Sequence, residues 1–179
     1  MARRMEPLPG RLVVSVIYSS MDAIADALVR LESRFGRVQY ETGEIVCSNA
    51  DHHREEMGDG LLRRFFSFEK PVARSSLVAI KAACHKIEPQ FADKADDFLF
   101  RAVNIDPGIL TLKNLVMASH LDGRQRIYLG DSVFAEIVLV YTREQFVRLP
   151  WTDPDFCTDE AIDFFERVRD NFEVVEQVM

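Results

Sequence analysis

The chain has 179 residues, 47% of them hydrophobic and 28% charged, with 13 phenylalanines and a net charge of −7. This length allows one domain that buries about 70% of its unfolded surface without disulfides or a structural metal. The composition excludes a disordered chain, no apolar run is long enough to cross a bilayer, and the acidic balance disfavours nucleic acid, whose phosphates need a concentrated basic surface.

The N-terminus, MARRMEPLPGRLVVSVIYSS, sets two arginines before an apolar segment as a signal peptide does. The apolar part is short, follows Pro7, Pro9 and Gly10, and has no small-residue cleavage site, so residues 1–10 read as a frayed leader on a cytoplasmic protein. Cys47, Cys84 and Cys157 are odd in number and irregularly spaced, which suits reduced thiols.

Leu12 to Tyr18 is a β-branched apolar run bounded by Gly10 and Ser19, the pattern of a strand covered on both faces. Ser19 or Ser20 can cap a helix in which Ile24, Leu28, Leu31 and Phe35 recur at helical spacing until Gly36. Val38 to Thr42 and Glu44 to Ser48 are short β-prone pieces around Gly43. Asn49 to Gly60 is polar, closes on two glycines, and reads as a turn before the strand Leu61 to Phe68. Ser75 or Ser76 can cap a second helix carrying Leu77, Ile80, Cys84, Ile87 and Phe91, ended or kinked by Pro89. Cys84 lies on that stripe as a small buried hydrophobe.

Phe98 to Ile105 reads as a strand that Asp106-Pro107-Gly108 cannot continue, followed by a short helix from Leu112 to Ser119. Arg126 to Leu129 is expected to pair with Ser132 to Tyr141 across a Gly130-Asp131 turn, glycine first, as in a type II′ hairpin. A further hairpin around Arg143 to Gln145 adds Phe146 to Leu149. Pro150 to Pro154 forms a rigid turn, and Thr158 caps a last helix with Ile162, Phe165, Arg169 and Phe172 inward. The expected fold is one α+β domain: a ferredoxin-like βαββαβ sheet extended by a C-terminal helix, β-hairpins and a final helix.

The blocks RRFFSFE (Arg63 to Glu69), VNIDPGILTL (Val103 to Leu112), RIYLGDSVFAEI (Arg126 to Ile137) and LPWTDPDF (Leu149 to Phe156) resemble the recurrent motifs of a bacterial family of unknown function. The resemblance covers nearly the whole chain, and ESRFG (Glu32 to Gly36) and EEMGDGLLRRF (Glu55 to Phe65) fit it too. Some members carry the label GTP-binding, but no G-x-x-x-x-G-K-[ST] loop exists here to cradle phosphates. Where the family's hairpin reads GDG, Ser132 replaces the second glycine, which weakens any reading of close ligand approach to this turn.

The polar residues of the 101–141 segment suggest a site. Arg101, Asp106, Arg126, Asp131 and Glu136 are the expected ligand-binding set, in a cleft for a phosphorylated small molecule or nucleotide. Asp106 and Asp131, with Glu136, Asp51, Glu55 and Glu56 in reach, could hold magnesium, a cation that favours carboxylates and retained water. Arg63, Arg64, Arg101, Lys113 and Arg126 could bind phosphate. Each residue has a structural counter-reading: Asp106 and Asp131 suit turns, Glu55-Glu56 suits a solvated face, and Arg101 with Glu136 could form one ion pair between strands. His52 and His53 beside Asp51 could supply a metal ligand or base, although no zinc-type spacing is present. His85 reads as structural, and His120 as a helix-ending residue favoured by the dipole. Trp151 reads as a clamp on the last helix or a stacking surface. The alternative function is a non-catalytic interaction module whose sheet edge pairs with a second copy or another protein. An RNA-binding sheet lacks its basic and aromatic strand motif here.

Overall fold

The structure is a computed structural model that describes residues 5–95 and 98–178. Among these residues are four α-helices and a large antiparallel sheet. The first strand, β1 (Gly10–Tyr18), is buried at every position. Its alternate residues explain the unbroken apolar run, since Leu12, Val14, Val16 and Tyr18 face one layer while Val13 and Ile17 face the other. Residues 5–9 before it are exposed and carry no regular structure.

Helix α1 (Met21–Phe35) starts where Ser20 accepts the amide of Ala23 and stops at Gly36, whose φ of 95° suits a residue without Cβ. It lays Ile24, Ala27 and Leu31 against β1. Two short strands follow, β2 (Val38–Glu41) and β3 (Ile45–Val46). The polar stretch after them is a helix, α2 (Ala50–Met57), and not the expected turn. Only Met57 of this helix is buried, so there is no apolar stripe to reveal it. Strand β4 (Leu62–Val72) pairs with β1, β2 and β3. Helix α3 (Leu77–His85) comes next, and Pro89 lies in the 3₁₀ turn Glu88–Phe91 that replaces its continuation. Cys84 is fully buried, and burial pushes its thiol pKa up to about 12.

The expected strand from Phe98 is two strands. β5 (Ala92–Ala95) pairs with β6 (Phe98–Arg101) as a separate ribbon, and β7 (Val103–Leu110) lies beside β1 in the main sheet. β7 runs straight through Asp106-Pro107-Gly108, against expectation. The following segment is also a strand, β8 (Asn114–Ser119), where a helix was expected. A six-residue apolar run does not distinguish the two by period, and pairing on both sides decides it. β9 (Ile127–Gly130) and β10 (Val133–Thr142) form the hairpin, but its two turn residues are Asp131 and Ser132, with φ of 50° and 57°. Positive φ at both positions is the type I′ requirement, not type II′. Arg143 and Glu144 repeat it before β11 (Gln145–Arg148).

The sheet order is β11-β10-β8-β7-β1-β4-β2, with β3 on β4 and β9 on β10. Helices α1 and α3 cover one face. The last helix, α4 (Asp159–Val178), capped by Thr158, covers the other with Phe164, Phe165 and Val168. Their partner Phe65 has its ring 4.8 Å from Phe156 and 5.2 Å from Phe165. Ile162 packs partly against this core, and the side chain of Phe172 lies outside the described residues.

The sheet is not closed throughout. β8 pairs with β7 only at Gly108, Ile109 and Leu110, while β7 stays on β1 as far back as Val103. The two strands therefore part at Gly108 and leave a fork. Pro107 is tolerated because, beyond that point, the flank of β7 away from β1 has no strand ladder to supply. At the fork the strands approach closely: a Cβ on Gly108 would meet the Val116 carbonyl oxygen at 2.7 Å and the Met117 sulfur. Gly108→Ala is expected to destabilise the protein by about 1–3 kcal/mol, read from the urea midpoint; an unchanged midpoint would mean that the strands part without strain.

Candidate functional site

Two backbone groups in the fork carry the site. The Ile105 N–H donates to Oε1 of Glu88 at 2.7 Å, and the Ile105 carbonyl accepts from Nζ of Lys81 at 3.1 Å. Side chains from α3 and the turn after it thus take the ladder positions of the missing neighbour strand, because buried peptide groups must be paired. Lys81 continues to Oδ1 of Asp106 at 2.6 Å, and Asn104 donates to Oδ2 at 2.7 Å. Both carboxylate oxygens of Asp106 are therefore engaged.

The fork opens into a cleft of about 780 Å³, whose lining includes Asn104 and Asp106 on β7, Ser119 on β8 and His120 just beyond it. Four of the five expected ligand residues line it: Arg101, Asp106, Arg126 and Glu136. Asp131 does not. It is exposed in the β9–β10 turn, where its positive φ and its place in the register define its part in the fold. The expected Arg101–Glu136 pair is absent. Arg101 instead reaches Glu56 on α2 and lies 3.6 Å from Glu88, while Glu136 pairs with Arg126 at 3.0 Å. Arg126 also donates to the Leu121 carbonyl at 2.8 Å, which ties the β8–β9 loop to the wall. The Nε of Arg126 and Oε2 of Glu136 are buried without a hydrogen-bond partner.

Arg63, on β4, is buried, with Asp155 at 2.9 Å and the Phe156 ring 5.2 Å from its guanidinium carbon. The other phosphate candidates, Arg64 and Lys113, are not among the lining residues; Arg64 pairs with Glu41 and stacks over Phe66. Of the further carboxylates, Asp51 pairs with Arg54, Glu55 is exposed, and Glu56 lines the cleft. The magnesium expectation does not fit this arrangement. Asp106 has spent its oxygens, Asp131 lies off the cleft, and among the described residues no group of three or more His, Cys, Asp or Glu side chains could hold a metal ion.

All four histidines of the chain line the cleft. His120 follows a strand, so the helix-dipole explanation fails. Its Nδ1 lies 2.8 Å from the Ser132 carbonyl, which can only accept, so Nδ1 carries the hydrogen. The His85 ring stands 4.9 Å from that of His120, and its Nδ1 is 3.4 Å from Glu88. Trp151 also borders the cleft, with its indole N–H donating to the Ile137 carbonyl at 2.8 Å. Lys81, Glu88, Asn104 and the four histidines were not among the expected ligand set. Their signal was charged or imidazole side chains in otherwise apolar helical and strand segments, which becomes informative only when the elements meet.

The electrostatics follow from the pairing. Burial opposes the charge on Lys81, but Asp106 and Glu88 outweigh it and raise its pKa above the ordinary lysine value. Burial also opposes the charge on Asp106, and Lys81 with Asn104 outweighs it and lowers its pKa. Burial lowers the pKa of His53; Asp106 pulls the other way, while Arg101 and Arg63 add to the lowering.

The profile of the domain of unknown function DUF4416 matches residues 8–172, and the chain belongs to that family. No curated protein and no solved structure matches it. Among the described residues, no helix is long and apolar enough to cross a membrane.

Because the folded pKa of Asp106 is depressed, its stabilising contribution is complete above the ordinary value of 3.8 and is lost as pH falls through the folded value. Asp106→Asn should therefore lower the urea midpoint at pH 7, with the difference from wild type shrinking below about pH 4. Lys81→Met, which strands one partner of the pair, should cost about 3 kcal/mol or more at neutral pH. A pH-independent Asp106→Asn effect would show that the carboxylate charge is not what holds β7 to α3.

Proposed function

We propose that the cleft in the β7–β8 fork binds a phosphorylated small molecule or a nucleotide. The observation that carries this reading is convergence: Arg63, Lys81, Arg101, Arg126 and the four histidines come from separate parts of the chain to one cleft. The carboxylates beside them position the cations and do not all compete equally with a ligand. Glu88 is buried and bonded to backbone, whereas the Glu56 side chain is 56% exposed and can yield Arg101 to an incoming phosphate. The proposal includes no metal.

The core is read as ferredoxin-like. Supporting this, β1, α1, β2, β4, α3 and β7 follow one another as βαββαβ and lie in the order β7-β1-β4-β2, with β3 and α2 inserted before β4 and the β5–β6 ribbon before β7. A cytoplasmic location is supported by three free cysteines.

A thermal-shift series with nucleotides and sugar phosphates tests the ligand class, since binding to the folded state raises Tm. The expected result is a rise with a phosphorylated compound but not its dephosphorylated parent, a larger rise in Glu56→Gln, and loss of the rise in Arg101→Gln. Equal response to the parent compound would sink the phosphate reading.

A second reading rests on a different surface. Ile127 is 70% and Tyr128 60% exposed on β9, Leu129 is exposed beside them, and Val147 is exposed on β11, which pairs with the other end of β10. β9 and β11 both flank β10 at the end of the sheet, so this apolar edge can pair with a second copy. Light scattering should then give a dimer that Tyr128→Lys returns to monomer. A wild-type monomer at all concentrations would remove this reading.

A further inference from the structure

The side chain of His53 differs from the charged groups around it in having no hydrogen bond or ion pair to any described residue. It lies on the cleft wall, on α2, three residues before Glu56 and therefore on the same side of the helix. The groups that face it are Glu56 from its own helix, Arg63 from β4, Arg101 from β6 and Asp106 from β7. All four are already engaged: Arg101 by Glu56 and Glu88, Arg63 by Asp153 and Asp155, and Asp106 by Lys81 and Asn104. Burial, and after it Arg101 and Arg63, lower the pKa of this half-buried imidazole against the pull of Asp106 and Glu56, and its side chain has no hydrogen-bond partner among the described residues.

A phosphate dianion settling on Arg101 reverses the local field. It offsets the guanidinium charge and adds negative charge beside the ring. We infer that His53 is a ligand-contacting residue of the cleft that takes up a proton when a phosphate dianion binds and then donates a hydrogen bond to a phosphate oxygen. The proton comes from solvent, one N–H bond forms on the imidazole, and the phosphate dianion gains no proton. Its charge is thus met by Arg101 and the new imidazolium. This inference rests on the proposed phosphate ligand and adds to it a proton-coupled contact on α2.

Proton-coupled binding makes affinity depend on pH. Between the His53 midpoints of the free and bound protein, affinity for a dianion falls about tenfold per pH unit. The test is a pH titration of the ¹⁵N-labelled imidazoles of the wild-type protein by NMR, with and without saturating inorganic phosphate, the His53 signal being assigned from His53→Gln or by through-bond correlation. The ring reports its own protonation, so the titration of phosphate itself does not interfere. The expected result is a His53 midpoint below the ordinary histidine range in the free protein and shifted upward by phosphate, with His53→Gln losing more phosphate affinity at pH 6 than at pH 9. A His53 midpoint that phosphate does not move, while other cleft signals respond, would overturn the inference and leave the binding reading standing. If no cleft signal responds to phosphate, both fall.

Discussion

The structure turns on how the backbone of Ile105 is satisfied. β7 keeps its pairing with β1 as far as Val103 but loses β8 beyond Gly108, which leaves buried peptide groups without a strand partner. Glu88 takes the N–H and Lys81 the carbonyl. Neither residue could do this as an isolated charge in an apolar layer, because an unpaired buried ion is too costly. Each is therefore balanced in turn, Lys81 by Asp106 and Glu88 by Arg101. The parting of two strands thus generates a chain of paired charges that runs from α3 to α2.

That chain is also the frame of the cleft. The ion pairs hold the acids and bases in place, so the interior is charged yet locally balanced. The outermost pair, Arg101 with Glu56, is the most solvent-exposed, while Glu88, Lys81 and Arg63 are buried. Arg126 and Glu136 close the opposite wall and anchor the β8–β9 loop. The cleft therefore has a buried floor and one wall, α2, that is anchored by Met57 and faces the cleft with the exposed Glu56.

Elements that bury a regular stripe were legible in the sequence. β1, α1 and α4 each declared themselves by burial period and by capping residues such as Ser20, Gly36 and Thr158. Three segments were misread for identifiable reasons. α2 buries only Met57 and so has no amphipathic pattern; β7 carries a proline whose usual meaning is reversed at an unpaired flank; and β8 is too short and apolar to reveal its period. Of the site, Arg101 and Glu136 were marked as charges in apolar strand surroundings, and Asp106 and Arg126 as polar candidates of the same segment. Lys81 and Glu88 were passed over, His85 and His120 were read as structural, and His52 and His53 were weighed only as a metal ligand or base.

By itself the sequence determined the mixed α and β composition, the doubly covered first strand, the helices that flank it, and the positions where charge interrupts apolar strands. These follow from local sterics and from burial periodicity, which act over a few residues. Only the tertiary structure decided where β7 and β8 part, that Arg101 meets Glu56 and Glu88 instead of Glu136, and that four scattered histidines share one cleft. Those outcomes depend on which distant segment supplies the partner for a buried backbone group or charge, and no local pattern encodes that choice.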